Sequence, residues 1–142
     1  MSQGLGRLDS ASLVIIHEDI PEADQYRTIL AEAGLDNVAL MAAADAQYTP
    51  STYMTADAVI ILCGALSSSV ESILAGIRAH DPEAVVVIIV AVRGLRFEDV
   101  RRVGNRGATA VVVLGAPTRL FYRQIAAIIA RTRRSRKSLR LE

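Results

Sequence analysis

The chain has one cysteine, no tryptophan and one lysine in 142 residues. A single cysteine excludes an internal disulfide framework and a cysteine-rich zinc site. Long apolar runs are missing too: the longest, Ala84–Val92, is too short to cross a bilayer as a helix. Residues 1–10 are polar and glycine-bearing, with no apolar segment after a basic start. No secretory leader is therefore expected, and the chain is expected to be cytoplasmic. Dinucleotide and nucleotide fingerprints are absent as well. Gly4-Leu5-Gly6 precedes the first apolar segment instead of following it, and the sole lysine, Lys137, comes too late to complete a phosphate-binding loop. There is no internal repeat and no low-complexity block.

What is present is a globular composition. Hydrophobic residues make up 51% and charged residues 22%, which excludes disordered, collagen-like and coiled-coil chains. The length suits one domain with a full core. Net charge is +1 but unevenly spread. Residues 131–142 hold Arg131, Arg133, Arg134, Arg136, Lys137 and Arg140 against one acid, Glu142. The remainder holds ten basic and fourteen acidic groups, a balance of −4. A mildly acidic body thus carries a basic end. The expected organisation is a flexible segment over 1–11, a folded domain over 12–130, and a basic tail over 131–142 that is either a linker or an extension of the last helix.

Two kinds of apolar segment alternate along the chain. Leu13–Ile16, Val38–Met41, Ala58–Cys63, Val85–Val92 and Ala110–Leu114 are short and β-branched, and read as strands covered on both faces. Between them the spacing is helical. Ala23, Tyr26, Ile29, Leu30 and Ala33 mark a helix from about Pro21, with Gly34 as its stop. Val70, Ile73, Leu74 and Ile77 mark a second, with a capping box from Ser68 and Glu71 and an end at Asp81-Pro82. Phe97, Val100 and Val103 predict a shorter helix stopped by Gly104 or Gly107. Leu120, Phe121, Ile125, Ile128 and Ile129 predict the last, capped by Thr118. Residues 43–56 leave room for a short helix around Pro50–Met54. Five alternating units imply right-handed crossovers between parallel strands. The expected fold is a flavodoxin-like three-layer α/β sandwich with strand order 2-1-3-4-5. In such a sheet, function gathers at the carboxyl ends of the strands, near the switch between strands 1 and 3.

At those ends stand His17-Glu18-Asp19-Ile20-Pro21, Cys63-Gly64 with the serine run Ser67–Ser69, Arg93 to Arg96, and Gly115-Ala116-Pro117. Glu18 and Asp19 either supply oxygen ligands for Mg²⁺ or form a solvated turn in which Asp19 caps the next helix. The serines either hold an anion or cap a helix. Cys63 is either a reactive thiol or a small core residue. His80, at a helix end, suits the dipole there.

These strand ends resemble response-regulator receiver domains of bacterial two-component signalling, over residues 12–130. Leu13–Pro21 is similar to the family's first strand with its acidic pair and following proline, and Asp57–Ile61 to the strand that leads to the phospho-acceptor. Gly107-Ala108 resembles the family's Gly-Ala before strand 5, and Ala116-Pro117 stands where the family has Lys-Pro. The resemblance places the acceptor aspartate at Leu62 or, with a one-residue slip, at Cys63. It places the hydroxyl residue of strand 4 near Val90 or Ala91, and the phosphate-contacting lysine at Ala116. Of the phosphotransfer set only the acidic pair, Glu18 and Asp19, is kept. The resemblance therefore implies a pseudo-receiver: a non-enzymatic module held in one conformation, with no cofactor, working by protein–protein contact or as a homodimer. Such domains occur alone and in longer proteins, including pilus-assembly ATPases and transcription factors. The implied interaction face is the last helix and its neighbours, with Arg101, Arg102, Tyr122 and Arg123. Two alternatives stand beside it. One is a small-molecule or redox sensor in a crevice bounded by His17, Cys63 and Arg93. The other is attachment to nucleic acid or an anionic membrane through Arg131–Arg140, a segment without interleaved aromatics.

Overall fold

Five β-branched segments pair edge to edge because their backbones have no other way to satisfy hydrogen bonds beneath two layers of helices. The computed structural model describes residues 12–35, 37–46, 56–63, 68–80, 87–92, 97–105, 107–113 and 118–141. The elements, in chain order, are β1 (Leu13–His17), α1 (Ile20–Glu32), β2 (Val38–Ala42), α2 (Ala43–Ala46), β3 (Ala58–Cys63), α3 (Ser68–His80), β4 (Val87–Val92), α4 (Phe97–Asn105), β5 (Ala110–Val113) and α5 (Thr118–Leu141). All strand pairs are parallel, in the order β2-β1-β3-β4-β5. This is the flavodoxin-like sandwich the alternation predicts.

Side chains alternate strictly between the two faces of the sheet. Leu13, Ile15, Ile60, Leu62, Ile89 and Ala91 pack with Leu30 of α1 and Phe121, Ile125 and Ile128 of α5. Val14, Ile16, Ile61, Cys63, Ile88 and Val90 pack with Val70, Ile73, Leu74 and Ile77 of α3 and Val103 of α4. Each fully buried aliphatic side chain here contributes about 1.5–3 kcal/mol relative to exposure. The edge strands β2 and β5 are only partly buried, as expected for strands with one neighbour. Across the first face the Tyr26 and Phe121 rings meet at 4.7 Å between centroids and join α1 to α5.

Helix ends follow local chemistry. Asp19 is the N-cap of α1, its carboxylate accepting from the Glu22 N–H at 3.4 Å, and Pro21 sits in the first turn. At the other end Leu35 N–H bonds to Leu30 O at 2.8 Å and Gly34 N–H to Ala31 O at 3.0 Å, with Gly34 at φ 103°. That is a Schellman stop, and the buried pair Leu30 and Leu35 supplies its apolar contact. The same device ends α4: Ala108 N–H bonds to Val103 O at 3.0 Å and Gly107 N–H to Gly104 O at 3.1 Å, with Gly107 at φ 112°. Of the two glycines that could stop α4, Gly107 does so and Gly104 is inside the helix. Its carbonyl then accepts from Arg78 of α3, from Nε at 2.9 Å and Nη2 at 2.6 Å. Arg102 of α4 pairs with Glu71 of α3 at 2.9 Å. A four-residue turn, α2, directly follows β2, whereas the sequence suggested a helix near Pro50–Met54, which lies outside the described residues. At the far end α5 continues unbroken through 131–141.

Gly107 and Gly76 respond oppositely to alanine. A Cβ on Gly107 would lie 2.6 Å from the Arg78 Cγ in a left-handed backbone, whereas one on Gly76 in α3 meets nothing within 4 Å. Gly107→Ala is expected to cost about 2–3 kcal/mol and Gly76→Ala to gain up to about 1 kcal/mol, read from urea midpoints at unchanged m-value.

Candidate functional site

The sheet order reverses around β1 and β3, so their carboxyl ends open on the crevice where such folds place their chemistry. The register fixes what stands there. His17 is beside Leu62, Leu62 beside Ala91, and Ala91 beside Val112. By alternation this row looks toward α1 and α5. Cys63, one residue further along β3, looks toward α3 and α4 with Val90, and Glu18, one residue beyond His17, has the same parity as Ile16 on that side.

By the register and the alternation of faces, Cys63 and not Leu62 shares a face with Glu18. Its thiol is buried and donates to the Ala91 carbonyl at 3.6 Å. Burial, and secondarily the negative charge of Glu18, push it from its ordinary 9.0 up to about 12. Removal from water disfavours the thiolate, and a nearby carboxylate disfavours it further. On the neighbouring strand Val90 shares the Cys63 face, while the Ala91 methyl points to the other side. The chemistry available at the strand ends is thus an inert thiol among aliphatic carbons, with one exposed carboxylate, Glu18, beside it.

Asp19 turns away to cap α1. Among the described residues no group of three His, Cys, Asp or Glu side chains comes together as a metal site would. His17 is 6% exposed and, among the described residues, its Nδ1 has no hydrogen-bond partner. The sensor crevice needs correction: His17 and Cys63 lie on opposite faces of the sheet, because consecutive register rows alternate. Arg93, its third member, and Ala116 lie outside the described residues, as do Ser67 and the side chains of Ser68 and Ser69. Asp57 stands at the amino edge, where its carboxylate accepts from Ser12 N–H at 2.7 Å. His80 Nδ1 lies 3.0 Å from the Gly76 carbonyl at the end of α3.

The residues of the expected interaction face fall on the two helices that flank edge strand β5. Arg101 and Arg102 are on α4, exposed, with Arg102 engaged by Glu71. Tyr122 is half-buried on α5 and Arg123 exposed. Sequence reasoning missed two apolar members. Val113 at the end of β5 is 40% exposed and Leu120 at the start of α5 is 44% exposed. The apolar stripe of the sequence includes both Leu120 and Phe121; the helix orientation buries Phe121 and leaves Leu120 exposed. Elsewhere, Arg27, Thr28, Ala31, Glu32 and Val38 line an open groove of about 500 Å³ between α1 and β2. No helix among the described residues is long and apolar enough to cross a membrane.

No family model and no curated protein matches this chain. Solved structures do match in three dimensions. A pilus assembly-related protein of Burkholderia pseudomallei is 13% identical, with 87% of this chain and 92% of that chain covered and a TM-score of 0.74. The signal receiver domain of the response regulator NarL of Mycobacterium tuberculosis is 12% identical over 84% and 96%, with a TM-score of 0.71. A CheY-like protein of Pseudomonas aeruginosa is 19% identical over 84% and 99%, with a TM-score of 0.66. At these identities the likeness is one of fold, and the fold is that of signal receiver domains.

The raised thiol makes two measurable demands. In the folded protein at pH 8, Cys63 is expected to react with a disulfide reagent at least about 100-fold more slowly than a free thiol, and fully once urea unfolds the chain. Stability from the protonated thiol is complete below about pH 9 and is lost as pH rises through about 12, at up to about 1.4 kcal/mol per pH unit. Cys63→Ala is expected to flatten that alkaline slope in denaturation curves.

Proposed function

We propose that this chain is a receiver-like signalling module that accepts no phosphoryl group, performs no catalysis and works through protein–protein contact. One observation carries the reading: the residue at the end of β3 on the Glu18 face is a cysteine buried from water, and that burial pushes its thiol up to about 12. An acyl phosphate requires a carboxylate, and a thiol held well above neutral pH is no substitute nucleophile. Val90, on the same face, has no hydroxyl to follow a phosphate. The sole lysine, Lys137, is near the end of α5, nineteen or more residues along the helix from its start at the carboxyl edge. A switch needs differential interaction with a ligand in two states, and a buried thiol and aliphatic side chains stand where the groups that would supply it are expected.

The contact surface we assign is α4, β5 and the first turns of α5. Val113 and Leu120 give it exposed apolar area, and Arg101, Tyr122 and Arg123 supply residue types favoured at interfaces. Two of the structures with this fold are named for pilus assembly and for a CheY-like protein, and attachment to a larger assembly of that kind suits a module without chemistry of its own.

Beryllofluoride with Mg²⁺, followed through amide chemical shifts, tests the first part. No saturable shift is expected at Glu18, Leu62, Cys63, Ala91 or Ala116, and a specific shift there would overturn the reading. The surface is tested by Leu120→Glu with Arg123→Glu. In sedimentation from about 10 to 300 μM, self-association of the wild-type chain is expected to weaken at least about tenfold in the double variant. A wild-type chain that stays monomeric throughout removes the homodimer and leaves a different protein as partner.

A further inference from the structure

Helix α5 is made of two unlike halves. Phe121, Ile125, Ile128 and Ile129 are buried against the sheet, and the apolar stripe stops there. At the same spacing the sequence continues with Thr132 and Ser135. The helix nevertheless runs on through Leu141, about 18 Å past Ile129 at 1.5 Å per residue. This second half carries Arg131, Arg133, Arg134, Arg136, Lys137 and Arg140, and no acid before Glu142. A linker would scatter these charges. A helix orders them: at about 100° per residue, Arg133, Arg134, Arg136, Lys137 and Arg140 fall within one arc of roughly 160°. By the same periodicity Arg131, Thr132, Ser135, Ser138 and Leu139 fall on the opposite arc, and Leu141 falls within the cationic one.

We propose that the distal half of α5 is a docking arm for the phosphate backbone of a nucleic-acid duplex. A duplex presents about one negative charge per 1.7 Å of axis, and the cationic arc presents five charges along about 10.5 Å of helix. All five are cations at neutral pH, and contact with a phosphate backbone rests on charge. The rest of the chain has a balance of −4, so it repels a polyanion and leaves the arm as the contact. Residues 131–142 include no aromatic, so base stacking, the usual hold on single strands, is not offered. A lipid surface is the poorer match. Interfacial helices need an apolar face opposite the charges, and that arc holds Arg131 and a single large apolar residue, Leu139. Binding of this kind reads charge, not sequence.

The test uses the full chain and a fluorescein-labelled mixed-sequence DNA duplex of about 20 base pairs, followed by anisotropy from about 50 to 200 mM NaCl. Micromolar affinity is expected at the low-salt end, with log K falling at a slope near −4 to −5 for about five phosphates. Replacing Arg133, Arg134, Arg136, Lys137 and Arg140 by Gln, a good helix former, is expected to weaken binding at least about 30-fold and to flatten the slope. Lysine at the four arginine positions is expected to keep affinity within about fivefold, and Arg101→Gln with Arg123→Gln to leave it unchanged. The proposal is overturned if the duplex does not bind at low salt, or if the Gln variant binds like the wild type. It is equally overturned if the lysine variant fails as the Gln variant does, or if vesicles with 30% phosphatidylserine bind more tightly than the duplex.

Discussion

A parallel sheet buried on both faces gives each strand residue one of two sealed interiors and no third option. Everything at the carboxyl edge depends on that constraint. It sends His17, Leu62, Ala91 and Val112 toward α1 and α5, and it sends Cys63 and Val90 toward α3 and α4. It removes the Cys63 thiol from water, and desolvation then does more than the Glu18 charge to keep the proton on sulfur. A single-residue slip would exchange the two rows and place a leucine beside Glu18.

The same constraint explains what was legible in the sequence. Unbroken β-branched runs mark strands covered twice, alternation with helices marks a parallel sheet, and five units suit the short doubly wound order 2-1-3-4-5 that the sheet has. The stripe Val70, Ile73, Leu74 and Ile77 is wholly buried as its spacing requires, and both left-handed glycines fall where the apolar pattern ends. At the end of strand 3 the sequence leaves Leu62 and Cys63 as alternatives. No charged side chain marks either one, and the register adds only that Cys63 is the one on the Glu18 face. The crevice pairing of His17 with Cys63 failed for a related reason: closeness along the strand ends says nothing about which face a side chain takes. α2 is four residues with two alanines and one acid between them and the next alanine, too short for any period to show. The distal half of α5 has no apolar stripe, so periodicity could not distinguish helix from linker there. Its helix extends one already nucleated by the core half, and extension adds residues without repeating the cost of a first turn.

On the α3 side, packing and polar contacts act together. Arg78 closes on the Gly107 carbonyl and Glu71 on Arg102, so α3, α4 and the turn into β5 are joined by more than apolar burial. Thr109 adds a further tie, its N–H bonding to Ile88 O at 2.7 Å while its hydroxyl accepts from Ile88 N–H at 2.9 Å. The proposed contact surface therefore rests on elements fixed to one another, and an interface on such a support needs little ordering when it forms.

The two Schellman stops each deliver the chain into an outermost strand: Gly34 precedes β2 and Gly107 precedes β5. These strands have only one neighbour to tell them how to align. The reversal ahead of each is closed by bonds spanning five residues or fewer, so the direction and phase of entry are set by nearby chain before any distant strand arrives. The margins of the sheet are in this sense self-aligning, and its weakest-paired members are guarded against misthreading by the cheapest contacts in the molecule.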